Sequence, residues 1–136
     1  MNRVLLSVED NDADYYLVAV ALKELDVRVQ LCRVANGEEA LAFLRKTEGH
    51  EIAPQPNLIL LNINLPGKSG FEVLADIQET ESLRSIPVVM FTSSRSSSER
   101  RKALELGAAD FISKPGTLNG LIETLGSVCM RFLATF

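Results

Sequence analysis

The sequence predicts an α/β fold built on a parallel sheet with both faces covered. Five apolar runs of strand length alternate with five segments of helical period along 136 residues. The runs are apolar nearly throughout, as in Leu58-Ile59-Leu60-Leu61, which suits strands buried on both faces. Right-handed crossovers between such strands give a doubly wound layout. Ligands of doubly wound sheets sit beyond the carboxyl ends of the strands, so the residues just after each run carry the functional question.

Val4-Leu5-Leu6-Ser7-Val8 is the first strand, and it stops at Glu9-Asp10. From about Asp12 to Leu25, the apolar residues Tyr15, Leu17, Val18, Ala21, Leu22 and Leu25 recur at helical spacing. A second strand lies around Val29 to Val34. Asn36, with Glu39 three residues on, caps a helix through Leu41, Phe43 and Leu44. Thr47 to Asn57 carries two prolines and a glycine and reads as a long loop. Leu58 to Leu61 is the third strand and Phe71 to Gln78 the next helix. Pro87 to Phe91 is the fourth strand, with proline only at its first position, where it is tolerated. Ser96 and Glu99 form a capping box for a helix through Leu106 that Gly107 ends. Ala109 to Ile112 is a short fifth strand. Thr117 or a neighbour caps the last helix, which runs towards Phe132.

These units occupy residues 1–136 as one domain, a length sufficient to bury a proper core. A net charge of −4 argues against a broad basic field for nucleic acid or an anionic membrane. No apolar run approaches the roughly 20 residues needed to span a bilayer. The opening MNRVLLSVEDNDAD turns acidic too soon for a secretory signal. Cys32 and Cys129 are far apart and lack metal-ligand spacing, which fits two reduced, partly buried thiols. A cytoplasmic protein is expected.

The strand ends carry a distinctive set. Glu9-Asp10 follows the first strand, Asn62 the third, Thr92 the fourth, and Ser113-Lys114-Pro115 the fifth. Two acids, an amide, a hydroxyl and a lysine thus converge on one edge. Carboxylate and carbonyl oxygens suit a hard divalent cation, and lysine with a hydroxyl suits phosphoryl oxygens. Each element alone is ordinary loop chemistry. An acid at a strand end is usually solvated, and Thr92-Ser93-Ser94 could be a simple turn. Their joint occurrence at four strand ends is the signal.

The stretches LLSVEDN, NGEEAL, LILLNINLPGKSG, IPVVMFTSS and LGAADFISKP, in this order, resemble the receiver domains of two-component response regulators. The resemblance covers nearly the whole chain. It looks closest to stand-alone receivers with a long loop before the third strand, including those paired with bacterial phytochrome kinases. It implies a flavodoxin-like fold with strand order 2-1-3-4-5. Carried over by position, Asp10 would bind magnesium, Glu9 would orient its waters, and the Asn64 backbone carbonyl would add a ligand. Thr92 would be the switch hydroxyl, Lys114 would pair with the phosphoryl group, and Phe111 would take the place of the aromatic rotamer switch. The family's phosphoacceptor is an aspartate, and Asn62 stands in its position here.

An amide cannot form the acyl phosphate that the family reaction requires. With one of three acids gone, magnesium should bind more weakly. Two origins fit Asn62: a natural pseudo-receiver, or a substitution that traps the unphosphorylated state. Intact Glu9, Asp10, Thr92 and Lys114 favour the second. Gly116 after Lys-Pro favours the first, as do Gly120 and Gly126 in the last helix, at about 1 kcal/mol each relative to Ala.

Three classes of function remain in view. One is a non-enzymatic signalling switch acted on by a sensor histidine kinase or phosphotransfer protein, and another is an interaction module indifferent to phosphate. The third, an enzyme or flavin binder on the same fold, lacks a histidine at the strand ends, because His50 falls in the long loop and reads as solvent-exposed. No output domain is expected within the chain, so output should be contact with a downstream protein, with no direct nucleic acid or membrane binding. The last helices and fifth strand are the candidate face, including for a homodimer. Phe132, Leu133 and Phe136 could cover the core or extend that face. Arg95, Arg100, Arg101 and Lys102 read as a solvated helix face.

Overall fold

The computed structural model describes residues 3–133. Its elements are β1 (Arg3–Val8), α1 (Asp12–Leu25), β2 (Val29–Val34), α2 (Gly37–Arg45), β3 (Leu58–Leu61), α3 (Gly70–Glu79), β4 (Val88–Thr92), α4 (Ser97–Glu105), β5 (Asp110–Ser113) and α5 (Leu118–Val128). A π-helical turn, Cys129–Leu133, follows α5. All strand pairs are parallel, in the order β2-β1-β3-β4-β5. The flavodoxin-like architecture expected from the sequence is therefore the observed one.

Side chains alternate across the sheet and divide the core in two. Leu6, Val8, Ile59, Leu61, Val88 and Met90 face α2, α3 and α4. Their neighbours Leu5, Leu58, Leu60, Val89 and Phe91 face α1 and α5. β3 lies at the centre and is buried along its whole length. Its continuous apolar run follows from that position, since neither face meets water.

Local signals place the helices. Asn11, Asn36, Ser69, Ser96 and Thr117 each accept a backbone N–H from the first turn of the helix they cap. The complete reciprocal capping box is at Ser69 and Glu72, ahead of α3. At α4 the expected box is half formed. Ser96 Oγ accepts from Glu99 N, but the Glu99 carboxylate takes the Ser94 hydroxyl instead of closing on Ser96. Pro87 stands just outside β4, and β5 begins at Asp110, one residue later than expected.

One side chain is less exposed than the sequence suggests. His50 is half-buried, its ring 5.6 Å from that of Phe43 and its Nε2 3.8 Å from Glu39. Arg95, Arg100, Arg101 and Lys102 are all exposed, as the sequence suggests. From that exposed face Arg100 donates to the Phe111 carbonyl at 2.7 Å, and the Lys102 ammonium lies 4.3 Å from the Phe71 ring centre. Leu133 is buried and Phe132 packs on the α1/α5 cluster, which is the core-covering alternative; Phe136 lies outside the described residues. Among the described residues no helix is long and apolar enough to cross a membrane.

Cys129 is buried under α5, and that burial pushes its thiol up to about 11. Burial also raises Cys32 on the edge strand β2, opposed by a hydrogen bond from Gln30. A thiol reagent near pH 8 is expected to modify Cys32 in the folded protein and Cys129 only on unfolding. Labelling measured along a urea titration checks this: Cys129 modification should follow the loss of helical signal. Rapid labelling of Cys129 without denaturant would contradict its buried seat.

Candidate functional site

Backbone pairing brings the site together before any side chain acts. Val8 ends β1 opposite Leu61, the last residue of β3. One step further, Glu9 N donates to Val34 O at 3.0 Å and Asn62 N donates to Val8 O at 3.2 Å. Glu9 and Asn62 therefore leave the sheet side by side. Thr92 ends β4 opposite Ser113, and Lys114 N donates to Thr92 O at 2.7 Å. Glu9, Asn62 and Thr92 are three of the four buried polar or charged residues among those described, so each needs a partner.

The loop after Asn62 is held by a glycine and an acid. A Cβ at Gly70 would lie 2.2 Å from the Asn62 carbonyl oxygen, so α3 can start against β3 only with glycine there. Gly70 N also donates to Ile63 O at 2.8 Å. Gly67 adopts φ +72°, which glycine accommodates without strain, and Lys68 N donates to Glu38 Oε1 at 3.1 Å. The turn between Asn64 and Ser69 is thereby tied to the start of α2.

Glu9 is the hub. Its Oε1 accepts from the Lys114 ammonium at 2.7 Å. Its Oε2 accepts from Asn11 N at 3.1 Å and from the Asn62 amide at 3.3 Å. Asn62 Nδ2 also reaches the Asn64 carbonyl at 3.3 Å. Both neighbours are acceptors, which settles that the NH2 end of the amide faces them. Lys114 makes a second ion pair to Asp14 Oδ2 at 2.8 Å.

Burial of Lys114 disfavours its charge, yet hydrogen bonds and attraction from Asp14 and Glu9 outweigh burial and raise its pKa above the ordinary 10.5. Its stabilising contribution is thus complete below the ordinary lysine value and fades only as pH rises through the higher folded value. The pair is intact throughout the neutral range.

The structure joins Glu9, Asn62, the Asn64 carbonyl and Lys114 directly. Thr92 lies next to them, its Oγ1 accepting from Ser94 N at 3.2 Å. Asp10 is exposed and makes no side-chain hydrogen bond among the described residues. Phe111 is turned inward, buried with Ala103 and Ala108 in the cluster under α4. Two contributors were not anticipated from sequence. Asp14 is a partner of Lys114, and its position on the first turn of α1, in EDNDAD, was the available signal. Arg33 donates to the Glu9 carbonyl at 3.0 Å and pairs with Asp12 at 2.8 Å, with no sequence signal beyond a cation on a strand.

A magnesium ion needs hard oxygen donors in near-octahedral array. The Glu9 and Asp10 carboxylates and the Asn64 carbonyl are of that kind. The residue at position 62 fits only in part, because its NH2 points at two of those three oxygens. The amide thus bridges the oxygens a cation would draw together. Among the described residues no three His, Cys, Asp or Glu side chains are grouped to hold a metal.

The sequence profile of the response regulator receiver domain matches residues 5–126. The response regulator Rcp1 of Synechocystis sp. is 37% identical over 133 residues, covering 98% of this chain and 90% of that protein. The crystal structure of the phosphorylated cyanobacterial phytochrome response regulator RcpA superposes with a TM-score of 0.91 at 34% identity, covering 98% of this chain and 95% of that one. The Mn2+-bound form of Rcp1 superposes with a TM-score of 0.86 at 37% identity, covering 94% and 92%.

Replacing Asn62 by Asp removes the amide donor and sets a carboxylate against Glu9. Two unit charges 4 Å apart repel by about 4 kcal/mol at an effective dielectric of 20, a scale that Lys114 reduces. Without divalent cation, Asn62→Asp is expected to lose about 1–3 kcal/mol of stability, the cost of an unmet buried group. Urea denaturation in chelator measures it, and an Asp form of equal or greater stability would refute the bridging role of the amide.

Proposed function

Because the chain belongs to the response regulator receiver domain family, we propose that it is a two-component receiver that signals by protein contact and cannot be phosphorylated at residue 62 as it stands. The observation that carries this reading is the joining of Glu9, Asn62 and Lys114 at one strand-end edge beside a buried Thr92. Fold alone would not carry it, since this fold hosts many functions.

The roles follow from the chemistry of each group. With an aspartate at position 62, Lys114 and the Thr92 hydroxyl would hold oxygens of a phosphoryl group there. Asp10 and the Asn64 carbonyl would hold magnesium, with Glu9 orienting its waters, and the ion when bound would neutralise phosphoryl charge. Phe111 moves with the occupancy of the site. In the family reaction a donor P–N or P–O bond breaks as a carboxylate O–P bond forms. The Asn62 amide oxygen is a poor nucleophile, so that step does not proceed here, and magnesium binding is weakened.

A sensor histidine kinase or a phosphotransfer protein is the upstream partner. RcpA's own description as a phytochrome response regulator supports a phytochrome-type kinase. Downstream, the face of α4, β5 and α5 is the docking surface for a protein partner or a second copy. There Asp110 pairs with Arg131 at 2.7 Å and with Arg100 at 3.8 Å, and Leu104 and Met130 are exposed.

A second reading has its own support. The Asn62 amide meets both neighbours, and no buried side-chain polar atom among the described residues lacks a partner. A site so settled suits a pseudo-receiver that docks its partner without phosphate.

Intact-mass measurement separates the readings. The chain and its Asn62→Asp variant are incubated with magnesium and acetyl phosphate. One added phosphoryl group on the variant alone is expected for a receiver whose machinery persists. No phosphoryl on either protein would overturn that reading in favour of the pseudo-receiver.

A further inference from the structure

Lys114 is seated away from residue 62. Its ammonium donates to Glu9 Oε1 at 2.7 Å and to Asp14 Oδ2 at 2.8 Å, whereas the Asn62 amide donates to the other Glu9 oxygen and to Asn64. No hydrogen bond joins Lys114 to Asn62 among the described residues.

We propose that Asp14 is a positioning residue for Lys114, a second seat that draws the ammonium towards α1 and limits how firmly it holds a charged group at residue 62. The inference deepens the receiver reading and takes its functional meaning from it, while its geometry stands apart.

Both partners are fixed in place. Asp14 lies in the first turn of α1, where its N–H bonds to the Asn11 side chain at 2.9 Å and the helix end favours its negative charge. Lys114 is anchored through its backbone to Thr92. The pair lines a cavity of about 40 Å³ whose other walls are Leu17, Phe91, Pro115 and Leu121. Phe91 presents its ring 6.0 Å from the ammonium. These apolar walls strengthen the ion pair relative to one in open water.

The two seats are unequal. The Glu9 side chain is 6% exposed and that of Asp14 is 38% exposed. Leaving Glu9 would strand a buried charge, whereas leaving Asp14 returns a carboxylate to water. Asp14 is therefore the seat that yields when a negative group appears at residue 62. It acts as a competitor that tunes the site, and Glu9 as the permanent partner.

The test has two arms. In the chain as it stands, the Asn62 side-chain amide is followed by 1H–15N NMR, identified by its disappearance in Asn62→Asp. Asp14→Asn is expected to shift that amide as Lys114 turns towards Asn62 Oδ1, and Asp14→Glu to restore it. Asp12→Asn, which removes the partner of Arg33 on the same turn, should leave it in place. An amide unmoved by Asp14→Asn, or moved equally by Asp12→Asn, would overturn the proposal.

The second arm uses Asn62→Asp with magnesium and beryllium fluoride, a phosphoryl mimic. A carboxylate O–Be bond forms there as a Be–F bond breaks and fluoride departs. Adding Asp14→Asn should tighten binding by about two- to fivefold, the range expected of an exposed ion pair, and Asp14→Glu should not. Unchanged affinity would overturn the tuning role. If Asn62→Asp takes no beryllium fluoride at all, the receiver reading fails, and the amide shift still decides the seat of Lys114.

Discussion

A carboxylate buried at the end of β1 is the constraint on which this edge depends. Glu9 can stay charged there only if both oxygens are met, and they are met by residues from three other parts of the chain. Lys114 comes from the loop after β5, Asn62 from the end of β3, and the Asn11 amide from the turn into α1. The charge requirement of one side chain therefore ties together the ends of the outer strand β5, the central strand β3 and the first helix. Backbone pairing has already brought the strand ends near one another. Arg33 adds β2 through the Glu9 carbonyl.

The amide at residue 62 belongs to the same balance. A cation between Glu9, Asp10 and the Asn64 carbonyl would offset their mutual repulsion. Asn62 does part of that with two N–H donors, which bridge Glu9 and Asn64 with no added charge. A carboxylate in its place would accept where acceptors already crowd. On the receiver reading, bridge and cation would compete for the same oxygens, and the amide would cost the edge a phosphoacceptor and a metal ligand together. Gly70 and Glu38 contribute by holding the turn that carries the Asn64 carbonyl.

The sheet was legible because its evidence is local. Continuous apolar runs mark strands covered on both faces, and Asn36, Ser96 and Thr117 mark helix starts through bonds made within four residues. The strand-end residues Glu9, Asn62, Thr92 and Lys114 were legible for the same reason, since each follows a run. Their roles came from the family resemblance. What escaped depends on how side chains choose among partners once the chain is folded. Glu99 accepts from the Ser94 hydroxyl rather than from the Ser96 backbone, and His50 packs against Phe43 on α2. The pairing of Asp14 with Lys114 spans 100 residues and exists only after β1 and β5 are placed.

On the receiver reading, the Asn62 amide takes the place of a cation at this edge. Calorimetric titration of magnesium into the chain and into Asn62→Asp tests it most directly. The chain as it stands should bind magnesium at least about tenfold more weakly, equivalent to about 1.4 kcal/mol. Equal affinities would contradict the claim, because the amide would then cost the metal site nothing.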